Sequence, residues 1–363
     1  MNRRRFLFSC TKAGQSVEDL LLEKGFSRRL IIRVKLLPDG LCINGEKVYI
    51  THRLTEDEVL TVTLPEETAD SSVVPVPMDL EILFEDEDLM VINKAPGVSI
   101  HPSQGHFSDS LANGVAGYFA QKGEPFTCRI VNRLDRDTSG LLIFAKNSLS
   151  SCILSEMIRN REIHRTYLAG CCGNLADLAT CAPEGVTVSP LPPTSQIGPD
   201  SAKPDFFESC EYCAPSQSHN FCGDFANAMV SGTIDAPIAR VCDSVIEREV
   251  NVERGESAIT HFEQLAYLAE FDLSVVKLTL ETGRTHQIRV HMKYAGHPLP
   301  GDFLYNPDFR LIGRQCLHSW KLSFDHPITK KPLSFATAVP ADMQFMKICD
   351  TLPIKEGDTL SEL

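Results

Sequence analysis

Residues 133 to 146 read RLDRDTSGLLIFAK. One carboxylate, Asp135, stands beside Arg133 at the end of an apolar stretch. A Thr-Ser-Gly turn then reverses the chain into a second apolar run. The wider segment RIVNRLDRDTSGLLIFAKN reads as strand, turn, strand, and period-two alternation puts Arg133, Asp135 and Asp137 on one side. Such a hairpin commits this part of the chain to a β-sheet, and a lone acid at its turn suits a working carboxylate in a cleft. Taken alone, the segment fits a turn-capping aspartate equally well, which is the common role of Asp at strand–turn junctions.

Four further segments carry polar residues in otherwise apolar surroundings. In MVINKAPGVSIHPSQGH (90–106) an apolar strand runs into Asn93 and Lys94, and a Pro-Gly turn leads to a second strand ending at His101-Pro102. Asn93 and Lys94 beside that rigid turn suit a phosphate or ribose contact, and a plain turn is the competing reading. HRTYLAG places Tyr167 in a strand, as core or as a ring on which a base could stack. In LTLETGRTHQIRVHMKYAGHPLPGDFLY (278–305) a strand leads to Arg284, His286, Gln287, Ile288 and Arg289. The two arginines suit carboxylate or phosphate, and His286 with His291 lacks a third metal ligand at a familiar spacing. LHSWKLSFDHPIT, with the sole tryptophan, Trp320, reads as a strand closing the core. SLSSCILSEMIRNREI, after the Asp135 segment, has helical spacing with Ser148 as its cap.

At 363 residues the chain has room for about two domains. Residues 16–64 read as a small unit of their own. SVEDLLLEKG is a helix capped by Ser16. FSRRLIIRVKLL is a second, capped by Ser27 and carrying Arg28, Arg29, Arg33 and Lys35. A hairpin turns at Asn44-Gly45, and LTEDEVLTVTL supplies a last strand. The expected division is a first domain over 1–65, a linker over 66–78, a main domain over 79–345 and a tail over 346–363. The Pro-, Ser- and Cys-rich stretch 173–230 reads as a surface insertion in the main domain.

The net charge of -13 argues at first against a nucleic-acid partner, but the charge is unevenly spread. Residues 1–50 hold ten Lys and Arg against five Asp and Glu, and residues 91–170 hold nine against six. The excess acid lies in 51–90, with one against twelve, and in 171–258, with four against thirteen. A local basic face binds RNA on an acidic protein, because counterion release depends on the phosphates contacted. No apolar run reaches the roughly 18 residues of a membrane span. The Arg-rich start MNRRRFLFSC lacks the long apolar stretch of an export signal, so a cytoplasmic location with reduced thiols is expected.

Taken in order, the five segments resemble the landmarks of RluA-type pseudouridine synthases, from residue 79 to about 340 apart from the insertion. Residues 16–64 resemble an S4 RNA-binding domain. The resemblance implies an α+β fold: a mixed, largely antiparallel central sheet with peripheral helices and a catalytic cleft, plus the small S4-like domain. It implies isomerisation of uridine in RNA after base flipping, without metal or other cofactor. The substrate it implies is large-subunit ribosomal RNA, with transfer RNA as the alternative, and a monomeric enzyme. By position, Asp135 matches the catalytic aspartate, Arg133 the residue filling the gap left by the flipped uridine, and Tyr167 the ring stacking on the target base. Arg289 matches the arginine that pairs with the aspartate, and Ile288 the apolar lining of its pocket. Arg284, His286 and Gln287 match structural or phosphate-binding positions. Asn132 and Arg165 depart from the His and Lys common there.

Three other readings compete. A non-catalytic RNA-binding or ribosome-assembly protein would keep the basic faces. A hydrolase would use Asp135 and Asp137 as a pair about 5 to 9.5 Å apart across a sugar. Within the insertion, Cys210, Cys213, His219 and Cys222 have the ingredients of a zinc site but lack a well-spaced second Cys pair, so reduced cysteines are favoured.

Overall fold

The structure is a computed structural model that describes residues 3–10, 12–68, 72–103, 107–190, 229–242 and 244–346. The four insertion residues with zinc-ligand chemistry lie outside them. The chain divides into two compact units, Met1–His164 with Lys321–Phe335, and Arg165–Trp320 with Ala336–Leu363.

The first unit opens with β1 (Arg5–Ser9), α1 (Val17–Glu23) and α2 (Arg28–Lys35), followed by β2 (Leu41–Ile43), β3 (Glu46–Lys47) and β4 (Val59–Thr63). Both helices start where the sequence predicts. The Ser16 hydroxyl accepts the Asp19 N–H and the Ser27 hydroxyl accepts the Leu30 N–H, each satisfying an otherwise orphan donor. The β2–β3 hairpin turns through Asn44 and Gly45 at φ 51° and 85°, the left-handed pair that a type I′ turn requires. The four strands form one sheet in the order β1-β4-β2-β3.

The same unit continues with β5 (Glu81–Glu85), β6 (Leu89–Lys94), α3 (Leu111–Gln121), β7 (Ser139–Ala145) and α4 (Ser148–Arg159). β6 lies between β5 and β7, antiparallel to both. Every residue of β7 is buried, so its run of apolar side chains is covered on both faces. The cap of α4 is Asn147 rather than Ser148. The Asn147 carboxamide accepts the Ser150 N–H at 2.9 Å while donating to Asp88, 59 residues back, at 2.8 Å. One hydrophobic core joins Leu20, Leu21, Leu30 and Ile31 to Leu141, Ile143, Leu149, Ile153 and Leu154.

The second unit contains most of β8 (His164–Cys172), then α5 (Leu178–Cys181), β9 (Val186–Pro190), β10 (Val230–Asp235), β11 (Ile238–Arg240), β12 (Arg248–Val250), β13 (Ile259–Leu268), β14 (Leu273–Leu280) and α6 (Gln287–Tyr294). Its strands run in the order β8-β14-β13-β10-β9, each antiparallel to the next. Leu168, Leu273, Val275, Cys316, Trp320 and Met343 form its core. Two last strands, β15 (Leu317–Asp325) and β16 (Pro332–Ala336), are followed by a 3-10 helix at Ala341–Met346.

Residues 175–190 hold a 3-10 turn, α5 and β9, so ordered elements occupy the start of the expected 173–230 insertion. Pro190 pairs with Val230 across the β9–β10 ladder. Replacing 191–229 by a two-residue hairpin turn is expected to keep the unit folded. Shortening a loop lowers its closure entropy by about 0.6 kcal/mol per halving. Loss of the cooperative thermal transition in that variant would show instead that the replaced stretch belongs to the core.

Candidate functional site

In the first unit the Asp135 segment differs from the expected strand–turn–strand. Its first arm is reduced to a single bridge, Ile130 with Phe144, extended by the hydrogen bonds of Val131 N–H to Ile143 and of Ala145 N–H to Arg129. The reason lies in Asn132. Its Oδ1 accepts the Ile143 N–H at 2.9 Å and its Nδ2 donates to the Leu141 carbonyl at 3.4 Å, so the side-chain amide takes the place of a peptide group beside β7. The backbone is thereby free to leave the sheet. Residues 136 and 137 form a turn closed by Thr138 N–H on the Asp135 carbonyl at 3.1 Å, so the strand alternation expected for Arg133, Asp135 and Asp137 does not hold.

Two further contacts fix the loop. Leu134 is buried beneath it, with Asp135 half-buried and Arg133 exposed on either side. Lys94, 1% exposed, donates from Nζ to the carbonyls of Ala95 (2.8 Å), Val98 (3.0 Å) and Arg136 (2.8 Å). Three bonds account for the three protons of an ammonium, so Lys94 ties the 94–98 turn to the residue after Asp135. Its neighbour Asn93 donates to Glu81 at 2.8 Å. Asp137 accepts both Nε and Nη2 of Arg136, at 2.9 and 3.1 Å.

In the second unit Tyr167 is 4% exposed on β8, opposite Leu278 of β14. The polar run after β14 forms α6, a helix that its mixture of charge and β-branched residues did not advertise. Arg289 on α6 is 2% exposed. Its Nε and Nη2 hold both oxygens of Asp302, at 2.6 and 2.7 Å, and its guanidinium lies 5.0 Å from the Tyr305 ring centre. Asp302 also accepts the N–H groups of Leu304 and Tyr305. Asp302 and Tyr305 lie in the GDFLY end of the 278–305 segment, but their partners Arg289 and His286, 13 and 19 residues back, leave no local signature of the pairing.

His286 stands at the start of α6 with φ 57°, a left-handed conformation costly for a residue with a Cβ, and its Nδ1 meets the Tyr305 hydroxyl at 2.9 Å. Gln287 is fully engaged: Oε1 accepts Thr282 Oγ1 and the Arg284 N–H, and Nε2 donates to the Ile259 carbonyl and Thr260 Oγ1. Ile288 is buried. Arg284 reaches the Ser257 carbonyl and pairs with Glu256. Arg28, Arg29, Arg33 and Lys35 are all exposed, and none meets a carboxylate among the described residues.

The pair His286 and His291, which the sequence leaves without a third metal ligand at a familiar spacing, has His291 taken up by the fold. The His291 ring is bonded at Nδ1 to Thr260 and at Nε2 to the Ala236 carbonyl, and burial pushes its pKa down, which keeps it neutral. Asp86, Asp88 and His326 of the first unit have metal-ligand spacing. Their lone pairs already serve the fold: His326 Nδ1 accepts the Ile328 and Thr329 N–H groups, and Nε2 meets Asp86 at 2.7 Å. Burial raises the Asp86 carboxyl, but His326 and the Leu89 and Asp88 N–H groups outweigh it, so its pKa ends below the usual value.

No helix among the described residues is long and apolar enough to cross a membrane. The profile of the RNA pseudouridylate synthase family matches residues 88–294. An uncharacterized RNA pseudouridine synthase of Bacillus subtilis, YjbO, is 38% identical over 90% of this chain and 96% of its own length. A second from the same organism, YhcT, is 34% identical over 85% of this chain and 84% of its own. Ribosomal large subunit pseudouridine synthase D of Neisseria meningitidis is 29% identical over 84% of this chain and 67% of its own. Together with a loop that presents one aspartate from a braced turn, these matches place the chain in the RNA pseudouridylate synthase family, and it is a pseudouridine synthase.

Proposed function

We propose that this enzyme isomerises a uridine of large-subunit ribosomal RNA in the cytoplasm, with Asp135 as its catalytic carboxylate. The observation that carries the assignment is the bracing of the Asp135 loop by the Asn132 amide, the buried Leu134 and the Lys94 ammonium. A loop held at three points presents its acid in one place, which is what a group that must meet a single sugar carbon requires. The ribosomal substrate is drawn from the named Neisseria relative. Residues 16–64, read as an S4-like module, offer phosphates the exposed charges of Arg28, Arg29, Arg33 and Lys35.

The chemistry needs few parts. The C1′–N1 bond breaks, the uracil turns, C1′–C5 forms, the C5 proton leaves to solvent and N1 takes one up. Asp135 serves either as nucleophile at C1′ or as base at C2′. Extruding the uridine costs a few kcal/mol, so loops and bulges are preferred. In this reading Arg133 fills the vacated stack and Tyr167 supports the base, while Arg289 and Ile288 take the roles the resemblance implies, the aspartate's arginine partner and the apolar lining of its pocket. Lys94, Gln287, His286 and Arg284 hold backbone and neighbouring side chains, and Asn93 flanks the Lys94 turn. Lys94→Met is accordingly expected to lower turnover at least ten-fold by releasing the loop, with RNA affinity little changed. A phosphate-binding role would show as a weaker affinity at unchanged turnover.

The test is tritium release from ribosomal RNA labelled at uridine C5 and taken from cells lacking the gene. The reading expects release by the purified enzyme from large-subunit RNA. Release only from transfer RNA would replace the substrate.

A further inference from the structure

The second unit holds three buried arginines among the described residues, Arg165, Arg289 and Arg314. Two are paired with a carboxylate through two nitrogens: Arg289 with Asp302, and Arg314 with Asp342 at 2.7 and 3.0 Å. Arg165 differs. It is 9% exposed, its Nε is sealed from solvent without a hydrogen-bond partner, and no carboxylate reaches its guanidinium among the described residues. An arginine keeps its charge, and a charge held away from water without a counter-ion is costly. A fold that retains one is set up for an anion from outside.

The surroundings say which anion. Arg165 lies two residues before Tyr167 on β8, and both are buried, so the two side chains share a face about 7 Å apart. That span is comparable with the distance from a nucleotide's base to its own phosphate. The guanidinium also lies against Gly283 at the head of the GRTHQIR segment: a Cβ there would stand 3.2 Å from Arg165 Nη1 and 3.6 Å from Nη2. Glycine leaves the fork uncrowded. Two parallel N–H donors match two oxygens of a phosphodiester.

We propose that Arg165 binds a backbone phosphate of the substrate RNA beside the nucleotide that stacks on Tyr167. The inference rests on the proposed role of Tyr167. It adds an anchor that fixes how far along the strand the base is drawn in, and so contributes to the choice of uridine.

The experiment uses the full-length protein and large-subunit ribosomal RNA from cells lacking the gene. Affinity is measured across a salt series, and single-turnover isomerisation is measured in parallel, for wild type, Arg165→Gln, Arg165→Lys and Gly283→Ala. Losing one phosphate contact lowers the slope of log affinity against log salt by about one and weakens binding roughly 10- to 100-fold. Arg165→Gln should show that loss, and Arg165→Lys should recover most of the slope. Gly283→Ala should show a smaller loss in the same direction, and it decides the matter if Arg165→Gln does not fold. An unchanged slope in Arg165→Gln with a lowered melting temperature, or in Gly283→Ala with reduced activity, would overturn the proposal and leave Arg165 as packing. Should wild type isomerise no uridine in this RNA, the substrate assignment fails by itself, and the binding slopes still decide the anchor.

Discussion

Asp135→Asn is expected to abolish isomerisation while leaving the fold and RNA affinity near wild type. The substitution keeps the size of the side chain and removes the charge and the nucleophilic oxygen pair. Loss of a nucleophile or base costs an enzyme about 10⁴- to 10⁶-fold in turnover. The loop has supports besides that carboxylate. The turn closes through the Asp135 backbone carbonyl, and Asn132, Leu134 and Lys94 grip the segment on either side. Circular dichroism and melting should therefore be little altered, and RNA should still bind. Turnover within ten-fold of wild type would remove Asp135 from the chemistry and shift weight to a protein that binds RNA without modifying it.

The second large effect is expected at Asp302. Asp302→Ala removes a carboxylate held by Arg289 through two nitrogens where both side chains are almost wholly buried, and it removes the acceptor for the Leu304 and Tyr305 N–H groups. Breaking one side of a buried ion pair costs about 3–5 kcal/mol, a large share of a typical net stability of about 5–15 kcal/mol. A double replacement, Arg289→Met with Asp302→Leu, removes the stranded charge and should recover much of that stability without recovering activity. If the double variant is active, Arg289 serves only to hold the fold. If Asp302→Ala melts with wild type, the pair does not stabilise the unit.

The parts of this architecture that could be read from the sequence are those whose physics is local. Ser16 and Ser27 cap helices because the donor they satisfy lies three residues away, and Asn44-Gly45 turns a hairpin because both residues tolerate positive φ. The helix after β7 was legible too, displaced by one position, since Asn147 outcompetes Ser148 through its bond to the distant Asp88. What escaped depends on partners far apart in the chain. Asn132 looks like a strand residue until its amide is seen bonded to Ile143 and Leu141. Lys94 looks like a phosphate ligand until its ammonium is found on three carbonyls, one of them 42 residues on. α6 hid because GRTHQIRVHMKY breaks apolar periodicity, its polar residues being turned to internal work such as the four hydrogen bonds of Gln287. Arg165 is the extreme case, since no sequence displays the absence of a counter-ion.

The resemblance to a known family carried the assignment of chemistry further than any single segment. Asp135 alone reads equally well as a turn cap, and Arg289 alone as a cation for any carboxylate or phosphate. Five segments in order pointed to one reaction, and the family profile over residues 88–294 bears that out.

The most direct test is pseudouridine mapping by carbodiimide and primed reverse transcription, on RNA from cells that lack the gene and carry either wild type or Asp135→Asn. The account predicts at least one large-subunit ribosomal position that is pseudouridine with wild type and uridine with Asp135→Asn. A site restored equally by both would contradict the role of Asp135. No altered site in ribosomal RNA would contradict the proposed substrate.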